Sequence, residues 1–111
     1  MEIAFNNKLA LHIPHFAWED GKLIDIEYDR LKDRLSEKLC ELGIDGWFSV
    51  PATGYYKGRA YEQEILTVFC NDQQKEAVIE AFRNSYFELK DVMRQEAFAY
   101  ECNTRLSIIL L

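Results

Sequence analysis

Positive charge, paired cysteines, chain-breaking residues and long apolar runs are all scarce in this sequence. Lys and Arg number 13 against 19 Asp and Glu, a net charge of −6. Affinity for nucleic-acid phosphates comes mostly from Lys and Arg, so direct nucleic-acid binding is not expected. Three cysteines, Cys40, Cys70 and Cys102, form no Cys-x-x-Cys pair and no cluster with His12 or His15. That spacing argues against a zinc site and a disulfide framework, and no metal is expected. Each cysteine sits among apolar neighbours, as in EKLCELG and TVFCND, which reads as a reduced structural thiol in a cytoplasmic protein. With two prolines and five glycines the chain shows no linker and no low-complexity tract. No stretch has the length of a membrane span, and MEIAFNNKLALHIPHF lacks the sustained apolar core of a signal peptide. Gly-rich phosphate loops are missing, and GWFSVP holds no nucleophile elbow. No cofactor is expected.

What is present is core-forming material. Hydrophobic residues make up 49% of the 111 positions and aromatic residues 14%, enough for one domain over 1–111 with a single core. In KLALHIPHF, Leu9, Leu11 and Ile13 alternate with Lys8, Ala10 and His12, the period of a strand with one buried face, and Pro14 marks its end. AWEDGKLI supplies turn chemistry. From Asp25 the period changes: Tyr28, Leu31, Leu35, Leu39 and Leu42 recur at three and four residues, a helix with Asp25 as candidate cap and Gly43 as its left-handed end. IDGWFSVPATGYY reads as extended, and RAYEQEILTVFCN is the strongest strand of the chain. Asn71 or Asp72 can cap a second helix with Ala77, Val78, Ala81, Phe82, Tyr86, Leu89 and Met93 on its apolar stripe. EAFAYEC and RLSIILL return to strand patterns.

The order strand, helix, strand, strand, helix, strand predicts an α+β, ferredoxin-like βαββαβ sandwich with an additional C-terminal strand. Two helices would cover one face of an antiparallel sheet. The other face would carry Trp47, Tyr61, Phe69 and Tyr100, and a broad apolar face is usually covered by another subunit, so a dimer or trimer is expected.

The segment TGYYKGRAYEQEI is the best site candidate. Tyr55, Tyr56 and Tyr61 offer flat amphipathic surfaces, Lys57 and Arg59 offer cations, and Gly54 and Gly58 permit a tight turn. Tyrosine and arginine concentrate binding energy at interfaces, and the two cations could hold a small anionic ligand. The plainer reading is a β-hairpin whose Lys57 or Arg59 pairs across the strands with Glu62 or Glu64. His12 and His15 flank Pro14 at a spacing that points them to opposite strand faces, against a shared metal.

From TGYYKGRAYEQEILTVFC to RQEAFAYE, the sequence resembles a group of small uncharacterised ferredoxin-like proteins. The matching positions are Gly54, Tyr55, Tyr56, Lys57, Glu62 or Glu64, Gln95 and Glu96. The fold of that group is similar to that of the PII signal-transduction proteins, which implies trimers with ligands at subunit clefts. The chain departs from PII in having no long nucleotide-binding loop, so the resemblance implies a fold and not nucleotide sensing.

The sequence is therefore read as a small non-enzymatic binding or regulatory protein. It would self-associate through its sheet and bind a protein or small anionic ligand through Tyr55, Tyr56, Lys57, Arg59, Tyr61, Glu62 and Glu64. Two alternatives stand beside it. One is a cofactor-free enzyme of the dimeric ferredoxin-like kind, with His12, His15 and Glu64 near a cleft, recognisable by a buried carboxylate within hydrogen-bond reach of an imidazole. The other is an acidic mimic of nucleic acid that blocks a basic protein.

Overall fold

A computed structural model describes residues 1–111 and sets seven strands and three helices in chain order. The first strand, β1 (Asn7–Pro14), buries Leu9, Leu11 and Ile13 completely on one face, as their alternation predicts. The turn chemistry of Asp20 and Gly21, both at positive φ, closes a small hairpin of β2 (Phe16–Glu19) and β3 (Lys22–Asp25). The sequence reads this segment as a turn alone. Asp25 ends β3 instead of capping the next helix, because its backbone is still paired with Phe16. Helix α1 (Tyr28–Glu41) follows, burying Leu31, Leu35 and Leu39. Gly43 lies just past it at φ +75°, as expected of a left-handed helix end.

Strand β4 (Phe48–Tyr56) pairs along its whole length with β5 (Arg59–Cys70) around a two-residue turn of Lys57 and Gly58. Both turn residues take positive φ, the requirement of the tightest hairpin turns. Helix α2 (Lys75–Glu88) is entered through a reciprocal bond: the Gln74 amide donates to Asn71 Oδ1 and the Asn71 amide to Gln74 Oε1. Asn71 thus closes the turn that precedes the helix, while the cap expected of Asn71 or Asp72 falls to Gln74, which makes no side-chain cap bond. A break at Leu89 separates α2 from the short α3 (Lys90–Met93), so Met93 is buried from a helix of its own. The chain ends in β6 (Ala97–Cys102) and β7 (Arg105–Leu110).

The main sheet is antiparallel in the order β4-β5-β1-β6-β7, the ferredoxin-like arrangement with an added edge strand. The helices cover one face, where Leu9, Leu11, Ile13, Leu66 and Val68 meet Leu31, Leu35, Leu39, Val78, Phe82 and Tyr86. Burying these side chains is the main stabilising term, about 1.5–3 kcal/mol each. The opposite face differs in part from expectation. Tyr61 and Phe69 share its parity on β5, but Tyr100 pairs with Leu11 and so points into the core, and Trp47 packs against the core cluster from before β4. Exposed Phe48, Val50, Leu106, Ile108 and Leu110 take their place.

Candidate functional site

At one end of the open face lies a cavity of about 400 Å³, within the size range of small-molecule sites. Its floor comes from His12 and Pro14 of β1, Tyr61 and Gln63 of β5, and Ala97 and Ala99 of β6. Phe16 and Trp18 of the β2–β3 hairpin wall one side, Tyr56 and Ile108 stand at other edges, and Arg94, Gln95 and Glu96 enter from the segment before β6. Four aromatic side chains, Phe16, Trp18, Tyr56 and Tyr61, therefore surround one opening.

Each wall has a local cause. Tyr61 stands opposite Gly54 in the β4–β5 register and lies across its backbone, where any Cβ would collide with the ring. Gln95 Nε2 donates to the Phe16 carbonyl at 2.9 Å and to the Met93 carbonyl at 2.9 Å, tying the hairpin to the α3–β6 connection. Arg94 and Glu19 form an ion pair across the same gap. Arg59 Nη1 donates to the Gly21 carbonyl at 3.0 Å, and its guanidinium lies 5.2 Å over the Trp18 ring. His12 Nε2 donates to Glu101 Oε2 at 2.8 Å, a carboxylate that fixes the imidazole within the cavity.

The sequence candidates are thus divided. Tyr56 and Tyr61 line the cavity; Tyr55 and Glu62 are exposed outside it. Lys57 folds back over the Tyr56 ring, 5.4 Å from its centre. Arg59 serves the β2–β3 hairpin, so the cross-strand pairs with Glu62 or Glu64 do not form. Glu64 faces the helices instead. His15 Nε2 donates to its Oε2 at 2.7 Å, and Lys32 Nζ lies 3.0 Å from its Oε1. Burial pushes the Glu64 carboxyl up, but the His15 bond and the Lys32 ammonium outweigh it and leave it below the usual carboxylate range. The same contact with Glu64 holds the Lys32 ammonium above its ordinary value. His12 and His15 do lie on opposite faces, His12 in the cavity and His15 beneath the sheet. A buried carboxylate within reach of an imidazole exists, but on the face away from the cavity.

Phe16, Trp18 and Arg94 escaped the sequence reading. The period-2 alternation of Phe16 and Trp18 around buried Ala17 was the available signal, hidden by the brevity of the strand. Gln95 and Glu96, which carried the resemblance, do reach the site.

No protein-family model and no curated protein matches the chain. Among solved structures it is similar to a phage SAM lyase in its apo state, at 16% identity and a TM-score of 0.63 over 100% of this chain and 95% of that one. A phage SAM lyase in complex with S-methyl-5′-thioadenosine is similar at 14% identity and a TM-score of 0.58, with the same coverage. A DUF3240 family protein from Shewanella baltica OS155 follows at 15% identity and a TM-score of 0.52, over 95% of this chain and 89% of that one. At such identities the likeness is one of fold.

Proposed function

We propose that the protein binds S-adenosylmethionine in the open-face cavity and cleaves it as a lyase, releasing S-methyl-5′-thioadenosine. The observation that carries this reading is the charge and chemistry of the cavity. Its two nearby guanidinium groups are engaged, Arg59 by Gly21 and Trp18 and Arg94 by Glu19, while the Glu96 carboxylate has no ion-pair partner. The free charge at the site is negative and the walls are aromatic, which suits a cationic sulfonium on a flat nucleoside. The small anionic ligand expected from Lys57 and Arg59 finds neither cation aimed into the cavity. The fold shared along its length with a SAM lyase solved with S-methyl-5′-thioadenosine adds support.

In such an elimination a base takes the proton from the carbon β to sulfur, and that C–H electron pair becomes a carbon–carbon double bond in the amino-acid fragment. The carbon–sulfur bond breaks with its pair going to sulfur, so the positive charge vanishes as neutral S-methyl-5′-thioadenosine leaves. Aromatic walls bind the cation without the strong stabilisation of a close carboxylate pair, and they lose little when the charge disperses. His12, oriented by Glu101, is the group placed to accept a proton from the substrate. Incubation of purified protein with S-adenosylmethionine, with chromatography for S-methyl-5′-thioadenosine, tests this directly. Product formation that Tyr61→Leu and His12→Ala each reduce is the expected result; no product and no heat of binding would remove the reading.

Self-association belongs to the same proposal. Phe48, Val50 and Phe69 at the β4 edge, and Leu106, Ile108 and Leu110 on β7 at the opposite edge, leave two groups of exposed apolar side chains on the open face. A second copy of the chain would cover them. A second reading, capture of a protein by the β4–β5 hairpin, is favoured by Tyr55, which is 73% exposed at its tip.

A further inference from the structure

The β2–β3 hairpin places Phe16 and Trp18 against the cavity, and on that side one partly buried bond, from Gln95 to the Phe16 carbonyl, is joined by weaker side-chain ties. The Arg94–Glu19 pair and the Arg59 bond to Gly21 are exposed, and water competes for them. A different tie holds the hairpin from beneath the sheet. His15 lies between Pro14 and Phe16, and its imidazole stacks on the Tyr28 ring with centres 3.8 Å apart and planes 12° from parallel. Its Nε2 bonds Glu64, whose side chain is only 9% exposed and is flanked by Lys32. The His15 amide also donates to the Glu62 carbonyl at 3.1 Å. The entry to the hairpin is therefore pinned to β5 by backbone and side chain together.

A buried carboxylate that loses a partner keeps its desolvation penalty, so the imidazole cannot leave Glu64 cheaply. We propose that His15 and Glu64 are positioning residues for the cavity: from the helix side of the sheet they fix the direction in which β2 leaves β1, and so where Phe16 and Trp18 stand against a ligand. Neither touches the ligand. The effect on ligand affinity rests on the nucleoside reading above, whereas the effect on hairpin placement does not.

The test labels Trp18 with 5-fluorotryptophan in a Trp47→Phe background, leaving a single fluorine signal from the cavity wall. In the ligand-free protein, His15→Ala should shift or broaden that signal. His15→Gln, whose amide can donate from near the Nε2 position, should restore it. Calorimetric titration with S-methyl-5′-thioadenosine should show the dissociation constant rising about tenfold in His15→Ala and recovering in His15→Gln. Arg34→Ala, which breaks a remote ion pair with Glu88, serves as a stability control and should leave the signal in place. A Trp18 signal unmoved in His15→Ala overturns the proposal, and so does an equal shift in Arg34→Ala. Should His15→Ala fail to fold, Tyr28→Leu removes the stack alone, and an unmoved signal there overturns it likewise. Failure of the nucleoside reading looks different: the wild type binds no S-methyl-5′-thioadenosine, while the Trp18 signal still moves in His15→Ala and returns in His15→Gln, which supports positioning.

Discussion

The ring of Tyr61 on β5 lies across the bare backbone of Gly54, its register partner on β4. A methyl group at Gly54 would meet the phenol oxygen at 2.6 Å, well inside contact distance. The glycine is thus a condition for a flat aromatic floor at the cavity. Gly54→Ala should push the ring aside, destabilising the protein by about 1–3 kcal/mol through overpacking. Urea unfolding would register the loss, and ligand titration should weaken alongside it. A neutral result on both would show that the ring is free to move.

Glu96 should distinguish charge from shape. The residue lines the cavity without an ion-pair partner, so Glu96→Gln removes a negative charge and little volume. Affinity for cationic S-adenosylmethionine is expected to fall about tenfold, a difference of about 1.4 kcal/mol, while that for neutral S-methyl-5′-thioadenosine stays constant. Parallel calorimetry with both compounds checks this. An equal loss for both would assign Glu96 a packing role.

Acid should loosen the protein in a defined direction. The Glu64 carboxyl is held below its ordinary value of 4.5 in the folded state despite burial, which pushes it up. Its contribution is present above the unfolded-state value and is lost as pH falls through the lowered folded value. Glu88, held to about 2 by Arg34 and Lys38, acts in the same sense from an exposed position. Urea midpoints measured from pH 6 down to pH 3 should decline, and Glu64→Gln should flatten the decline. An unchanged slope in that variant would contradict the assignment.

Self-association can be tested on β7. Ile108 and Leu110 are 66% and 78% exposed on the open face, so Ile108→Lys with Leu110→Lys should cost nothing in folding. Light scattering should then give the 13.1 kDa mass of one chain, against a multiple of it for the wild type. A wild-type mass of one chain would leave these exposed apolar residues without their proposed cover.

The thiols should separate by burial. Cys40 is exposed on α1, whereas Cys70 is fully buried, and burial raises its pKa. A disulfide reagent at neutral pH should modify Cys40 rapidly and Cys70 only on unfolding. Rapid loss of Cys70 in the native protein would be inconsistent with its place in the core.

The sequence by itself determined the main elements and their order, the short β2–β3 hairpin and α3 excepted. Leu9, Leu11 and Ile13 at period 2, and Leu31, Leu35 and Leu39 at helical spacing, identify their structures because periodicity is a local property of the backbone. Gly58 and Gly43 likewise announce their turns because glycine adopts positive φ at little cost, whereas Gly54, expected at the same turn, lies within β4 opposite Tyr61. The charged hairpin candidates Lys57, Arg59 and Glu64 met other neighbours than expected for the opposite reason. Whether Arg59 meets Glu62 or Gly21, and whether Glu64 faces solvent or His15 and Lys32, depends on segments far away in the chain. The face taken by Tyr100 was hidden in the same way, since parity becomes inside or outside only when β6 pairs with β1 at Leu11. Tertiary structure alone decided that Phe16, Trp18, Tyr61 and Glu96 share one cavity, because it joins residues from opposite ends of the chain through a register that no local pattern records.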